Sequence, residues 1–162
     1  MIQAFALAAA VASFAGACPV ERARYRLRGS PGITAKFDAR RPTPGWPADV
    51  QFSVRSAKTG RTHVFLPYPS AGQGISTHFA SVESAERPPD PDSATGRPIG
   101  DLDYLAADRS YAFDQGFSAS SGQGAPAHLL LPGLQAALWY RVGNDEREGV
   151  PLAFFDLAGC SR

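Results

Sequence analysis

Excess charge of one sign, lysine and cysteine are scarce in this sequence. Its 162 residues carry 16 basic and 15 acidic side chains, a net charge of +1, which leaves no surplus to neutralise a phosphate backbone, so no nucleic-acid partner is expected. Lys36 and Lys58 are the two lysines and the other cations are arginines. Codon usage in a GC-rich genome produces that bias as readily as anion recognition does, and it points to a bacterial source more than to a ligand. No apolar run is long enough to span a bilayer. His63, His78 and His128 show no H-x-H, H-x-x-x-H or H-E-x-x-H spacing, so no metal motif is present and no cofactor is expected. There is no G-x-S-x-G turn to present a nucleophile. Gly72-Gln73-Gly74 and Gly122-Gln123-Gly124 are isolated G-x-G triplets without a following helix of the length a phosphate site needs.

What is present is turn chemistry and alternation. Glycine (16) and proline (14) demand many turns in a chain whose 44% hydrophobic and 19% charged content is that of one ordinary globular domain. Arg22 to Arg28 reads R-A-R-Y-R-L-R, placing Ala23, Tyr25 and Leu27 on one strand face and four arginines on the other. After Gly29-Ser30-Pro31-Gly32, the segment Ile33 to Phe37 alternates again. Val50 to Arg55 and Arg61 to Leu66 flank Ser56 to Gly60, the best hairpin in the chain, closed by a type I turn and G1 bulge. Pro67 and Pro69 are expected to end its second strand. Weaker strands are expected at Ile75 to Val82, Leu102 to Leu105 and Tyr111 to Phe113, with long loops at residues 86–100 and 116–124. Ala127 to Leu131 is a further apolar run. Leu134 to Arg141 has helical spacing, and Leu152 to Leu157, between Pro151 and Gly159, fits a second short helix or a strand. The expected fold is mainly β, an antiparallel sandwich or small barrel with one or two short helices in the C-terminal third.

Residues 1–17 hold no charge, and the apolar stretch from Ala4 to Phe14 has the length of a signal-peptide core. Ala15 and Ala17 supply the A-x-A pattern for cleavage before Cys18, leaving residues 18–162 as one exported domain, periplasmic or secreted and monomeric. Cys18 and Cys160 are then expected to form a disulfide tying the two ends together in an oxidising compartment. The alternative is a degenerate lipobox, Ala15 to Cys18, with Cys18 acylated and the protein an envelope lipoprotein on the membrane.

Three groups of residues are candidates for function. The stripe Arg22, Arg24, Arg26 and Arg28 places charges about 6.6 Å apart along one strand face and could track a linear anionic polymer. Its alternatives are a solvated strand face, an edge protected against aggregation, or pairing with Asp101 and Asp103. Trp46 and Tyr68, beside prolines in loops, could form an aromatic platform for sugar rings, together with Trp139 and Tyr140. For catalysis, His63 or His78 with Asp101 or Asp103 could make a small hydrolase or metal-dependent site if the fold brought them together. Asp90 to Asp101 resembles part of a calcium loop but has Ala94 where an oxygen ligand belongs and its glycine displaced to Gly96. The expectation is a non-catalytic binding or structural module of the bacterial envelope that contacts anionic glycan, or an envelope protein, through the arginine face.

Overall fold

A computed structural model describes residues 18–69, 77–93 and 95–162. The leader expected at residues 1–17, the triplet Gly72-Gln73-Gly74 and the start of the strand expected at Ile75 lie outside the described residues. Among the described residues a 3-10 turn, Val20–Arg22, leads into nine strands: β1 (Ala23–Leu27), β2 (Ile33–Ala39), β3 (Val50–Ser56), β4 (Thr62–Pro69), β5 (Thr77–Val82), β6 (Asp101–Asp103), β7 (Leu105–Ala107), β8 (His128–Leu130) and β9 (Phe155–Cys160). One helix, α1 (Leu134–Tyr140), and a 3-10 turn, Asn144–Glu146, stand between β8 and β9. Every neighbouring pair is antiparallel, in the order β6-β5-β4-β3-β2-β1-β9-β8-β7.

The two ends of that order, β6 and β7, are consecutive in sequence and separated by Tyr104 alone. One extended stretch thus pairs with β5 through its first half and with β8 through its second, which nearly closes the sheet into a barrel. Closure of this kind removes the unpaired edges that invite association. Tyr104 sits at the seam, buried and stacked on Phe79 with ring centroids 4.1 Å apart, and its hydroxyl accepts the Ala119 backbone N–H at 3.2 Å.

Alternation explains why these segments fold inward as they do. Ala23, Tyr25 and Leu27 of β1, Ile33, Ala35 and Phe37 of β2, and Val50, Phe52 and Val54 of β3 are all buried in one core. Phe52 stacks on Phe79 at 4.6 Å, and Phe37 and Phe65 lean on both. These rings fill the barrel. A second cluster, Trp46, Leu66, Ala80, Val82 and Ala85, lies on the outer side of β4 and β5 beneath the loops before β3 and after β5. Arg40 braces those loops by donating to the carbonyls of Ala48 (2.7 Å) and Ala85 (3.0 Å).

The β3–β4 hairpin forms as expected, with Ser56 N–H donating to the Arg61 carbonyl at 3.0 Å and Gly60 at φ 70°, a conformation that favours glycine. Two expectations are corrected. β4 runs through Pro67 and Pro69 because its pairing with β3 stops at Phe52–Phe65, and beyond it the missing proline N–H groups need no partner on that side. The strand expected at Tyr111 to Phe113 does not form, leaving a single bridge between Ala107 and Phe113; of the helix or strand that Leu152 to Leu157 fits, the strand forms, Phe155 to Cys160 being β9, held between β1 and β8.

Cys18 and Cys160 are joined by a disulfide spanning 142 positions, beside the Ala23–Cys160 pairing of β1 with β9. A thioether-linked acyl chain would need the Cys18 sulfur that this bridge occupies. Among the described residues no helix is long and apolar enough to cross a membrane.

Candidate functional site: a cationic groove on the outer face

The residues that alternate outward from β1, β2 and β3 are left bare by the loops that cover β4 and β5. In one row across the sheet, Arg26 of β1 faces Thr34 of β2, which faces Arg55 of β3, which faces Thr62 of β4. In the next row Arg24 faces Lys36, which faces Ser53. Together these side chains line a groove of about 560 Å³ that reaches from Ala158 on β9 to Thr62 on β4. Small side chains form its floor: Ser53 is buried, and Thr34 and Ala158 leave room between the longer cations.

Four cations share this surface with Asp38, and Asp156 of β9 stands in register with Arg26 at its edge, where Arg28 holds it. Asp38 lies 2.6 Å from the Lys36 ammonium and 3.6 Å from the Arg24 guanidinium. Arg26 and Arg55 are exposed, and among the described residues neither has a carboxylate within ion-pair distance. The Arg26–Arg55 row therefore makes no ion pair of its own, since Arg28 takes the Asp156 carboxylate that stands opposite Arg26, whereas the Arg24–Lys36 row is partly neutralised.

This is a different constellation from the expected stripe. Arg22 belongs to the 3-10 turn before β1, because the disulfide and the Pro19–Gly124 bridge hold the chain there before the strand begins. Arg28 is engaged elsewhere: its guanidinium donates to both Asp156 oxygens, at 2.9 and 2.6 Å, and to the Tyr111 hydroxyl at 2.6 Å. Those bonds raise the Arg28 pKa and hold the Asp156 carboxyl below its usual range, with His128 assisting through a 2.7 Å contact. The carboxylates that answer the stripe are thus Asp38 and Asp156, and Asp101 and Asp103 do not take part. Asp101 lies 3.4 Å from Arg97 on the far edge. Lys36 and Arg55 complete the groove and were not among the residues expected from sequence; their outward positions in alternating strands opposite Arg24 and Thr34 are the signal that locates them.

The other candidates are separated or covered. His78 contacts Asp103 across the β5–β6 pair. His63 stands on β4 five positions from Tyr68, the residue opposite His78, a separation of roughly 17 Å along a strand. It lines a distinct cleft of about 270 Å³ beside Arg61 and Glu146, which form an ion pair. Burial lowers the His63 pKa, and Glu146 opposes that shift. The four residues proposed for catalysis thus contribute one His–Asp contact and do not converge in one pocket. No group of three or more His, Cys, Asp or Glu side chains able to hold a metal ion occurs among the described residues.

Trp46 is no platform: it is buried, its indole N–H donates to the Pro89 carbonyl at 2.7 Å, and the Arg97 guanidinium covers its ring at 4.8 Å. Tyr68, half-buried, packs against it at 5.6 Å. Trp139 and Tyr140 are exposed on α1.

No family model matches the chain, no curated protein does, and no solved structure does. The functional reading accordingly rests on the groove.

Proposed function

We propose that this protein is an exported, non-catalytic binding module of the bacterial cell envelope, and that the groove of Arg24, Arg26, Lys36 and Arg55 holds an anionic glycan. The observation that carries the reading is the excess of four cations over Asp38 on an uncovered sheet face, the Asp156 carboxylate opposite Arg26 being already held by Arg28. Guanidinium groups suit this role, since each presents a planar fork of donors to a carboxylate, sulfate or phosphate. The hydroxyl of Thr34 stands between Arg26 and Arg55 and that of Thr62 beyond Arg55, where sugar hydroxyls can be met by neutral hydrogen bonds. Export is supported by the uncharged, apolar stretch at residues 1–17 and by the Cys18–Cys160 disulfide, a bond at home in oxidising compartments. The near-zero net charge suits local recognition better than the global field of a nucleic-acid binder.

The test is chromatography on an immobilised anionic polysaccharide. The wild-type protein is expected to be retained at low salt, and the pair Arg24→Ala with Arg26→Ala to elute earlier with a flatter salt dependence. Unchanged retention of the pair would sink the reading.

A further inference from the structure

We infer that the glycan crosses the strands instead of running along β1, and that it carries its acidic groups on alternate sugars. The inference rests on the anionic-glycan reading of the groove and specifies the ligand.

The direction follows from where uncompensated charge lies. Along β1, the cation after Arg26 is Arg28, already bound to Asp156 and Tyr111, and the one before Arg24 is Arg22, which precedes the strand. Across the sheet, Arg26 has on one side Asp156 of β9, held by Arg28, and on the other it is followed by Thr34 and then by Arg55, and the groove continues to Thr62. A chain laid in this direction meets cation, hydroxyl, cation and hydroxyl in turn. A chain laid along β1 leaves Arg55 unused and runs into an arginine that is already satisfied.

The spacing sets the ligand class. Arg26 and Arg55 stand two strand spacings apart, about 10 Å at the backbone, which matches the advance of two sugar rings in an extended chain. A carboxylate or sulfate on every second sugar then falls on Arg26 and on Arg55, and the intervening neutral sugar lies over Thr34. A chain with an acid on each sugar would place its middle charge over a threonine.

Two probes separate these arrangements: a hyaluronan hexasaccharide, with a carboxylate on every second sugar, and a guluronate hexasaccharide, with one on each. Affinities are measured by titration calorimetry on the disulfide-intact protein at matched ionic strength. Hyaluronan is expected to bind, with Arg55→Ala and Arg26→Ala each weakening it roughly tenfold as a charged contact is lost, and Arg22→Ala leaving it unchanged. Circular dichroism of each variant confirms the fold, and Arg55→Lys, which keeps the charge, is expected to recover part of the affinity. If Arg22→Ala weakens binding as much as Arg55→Ala, the chain runs along β1 and the crossing is wrong, although the glycan reading stands. If guluronate binds as tightly per charge as hyaluronan, the alternate spacing is wrong. If neither sugar binds, the glycan reading falls with the inference. Tighter binding to single-stranded DNA or to anionic lipid vesicles than to either sugar would overturn both in favour of another partner.

Discussion

Arg28, just past the end of β1, grips both carboxylate oxygens of Asp156 on β9, and the same carboxylate is touched by His128 of β8. Three elements that are far apart in sequence meet on that one group, at the place where the first strand of the barrel joins the last ones.

The pH dependence of stability follows from this contact. The folded state lowers the Asp156 pKa through Arg28 first and His128 second, so the unfolded chain binds a proton more readily than the folded one. The contribution is present above the ordinary aspartate pKa of about 4 and is lost as pH falls through the lower folded value. Thermal melts from neutral to strongly acid pH are expected to show the wild type losing stability on the acid side more steeply than Asp156→Asn. Parallel acid limbs would contradict the assignment.

The Cys18–Cys160 bridge closes almost the whole described chain into one loop. Cys18→Ser with Cys160→Ser is expected to lower stability by about 2–5 kcal/mol, read as an earlier denaturant midpoint. A midpoint unmoved by the double substitution would mean that the β1–β9 pairing alone holds the ends.

Phe79 stands between Phe52 and Tyr104, stacked on both, and so links the middle of the barrel to its seam. Phe79→Ala is expected to cost about 3–5 kcal/mol, whereas Phe79→Leu, which keeps most of the volume, should cost less. Equal losses from the two, measured by urea unfolding, would argue that ring stacking outweighs filled volume there.

The two tryptophans differ in exposure, Trp46 at 1% and Trp139 at 44%. Iodide quenching of the intrinsic fluorescence should therefore resolve one shielded and one accessible population, and Trp139→Phe should remove the accessible one. A fully quenchable Trp46 would mean that its covering loops open.

Much of the barrel is legible in short-range pattern. Ala23, Tyr25 and Leu27, or Val50, Phe52 and Val54, announce strand faces because the two-residue period is a local property, and Gly60 announces its turn for the same reason. Closure at Tyr104 is not legible, because one stretch serving two edges of a sheet is visible only once the strand order exists. The burial of Trp46 depends on Leu66, Ala80 and Val82 facing outward from strands that pair later in the chain. The groove was half legible: Arg24 and Arg26 stand in an alternating strand, but Lys36 and Arg55 join them through cross-strand register. Arg28 leaves the set because Asp156, far away in sequence, takes it.

The groove itself is tested most directly by the salt dependence of glycan affinity. With hyaluronan oligosaccharide as probe, the wild-type association constant is expected to fall steadily as salt rises, and the pair Arg26→Ala with Arg55→Ala to bind more weakly with a shallower fall. Identical affinity and identical salt dependence in the two proteins would contradict the assignment of this face as the binding surface.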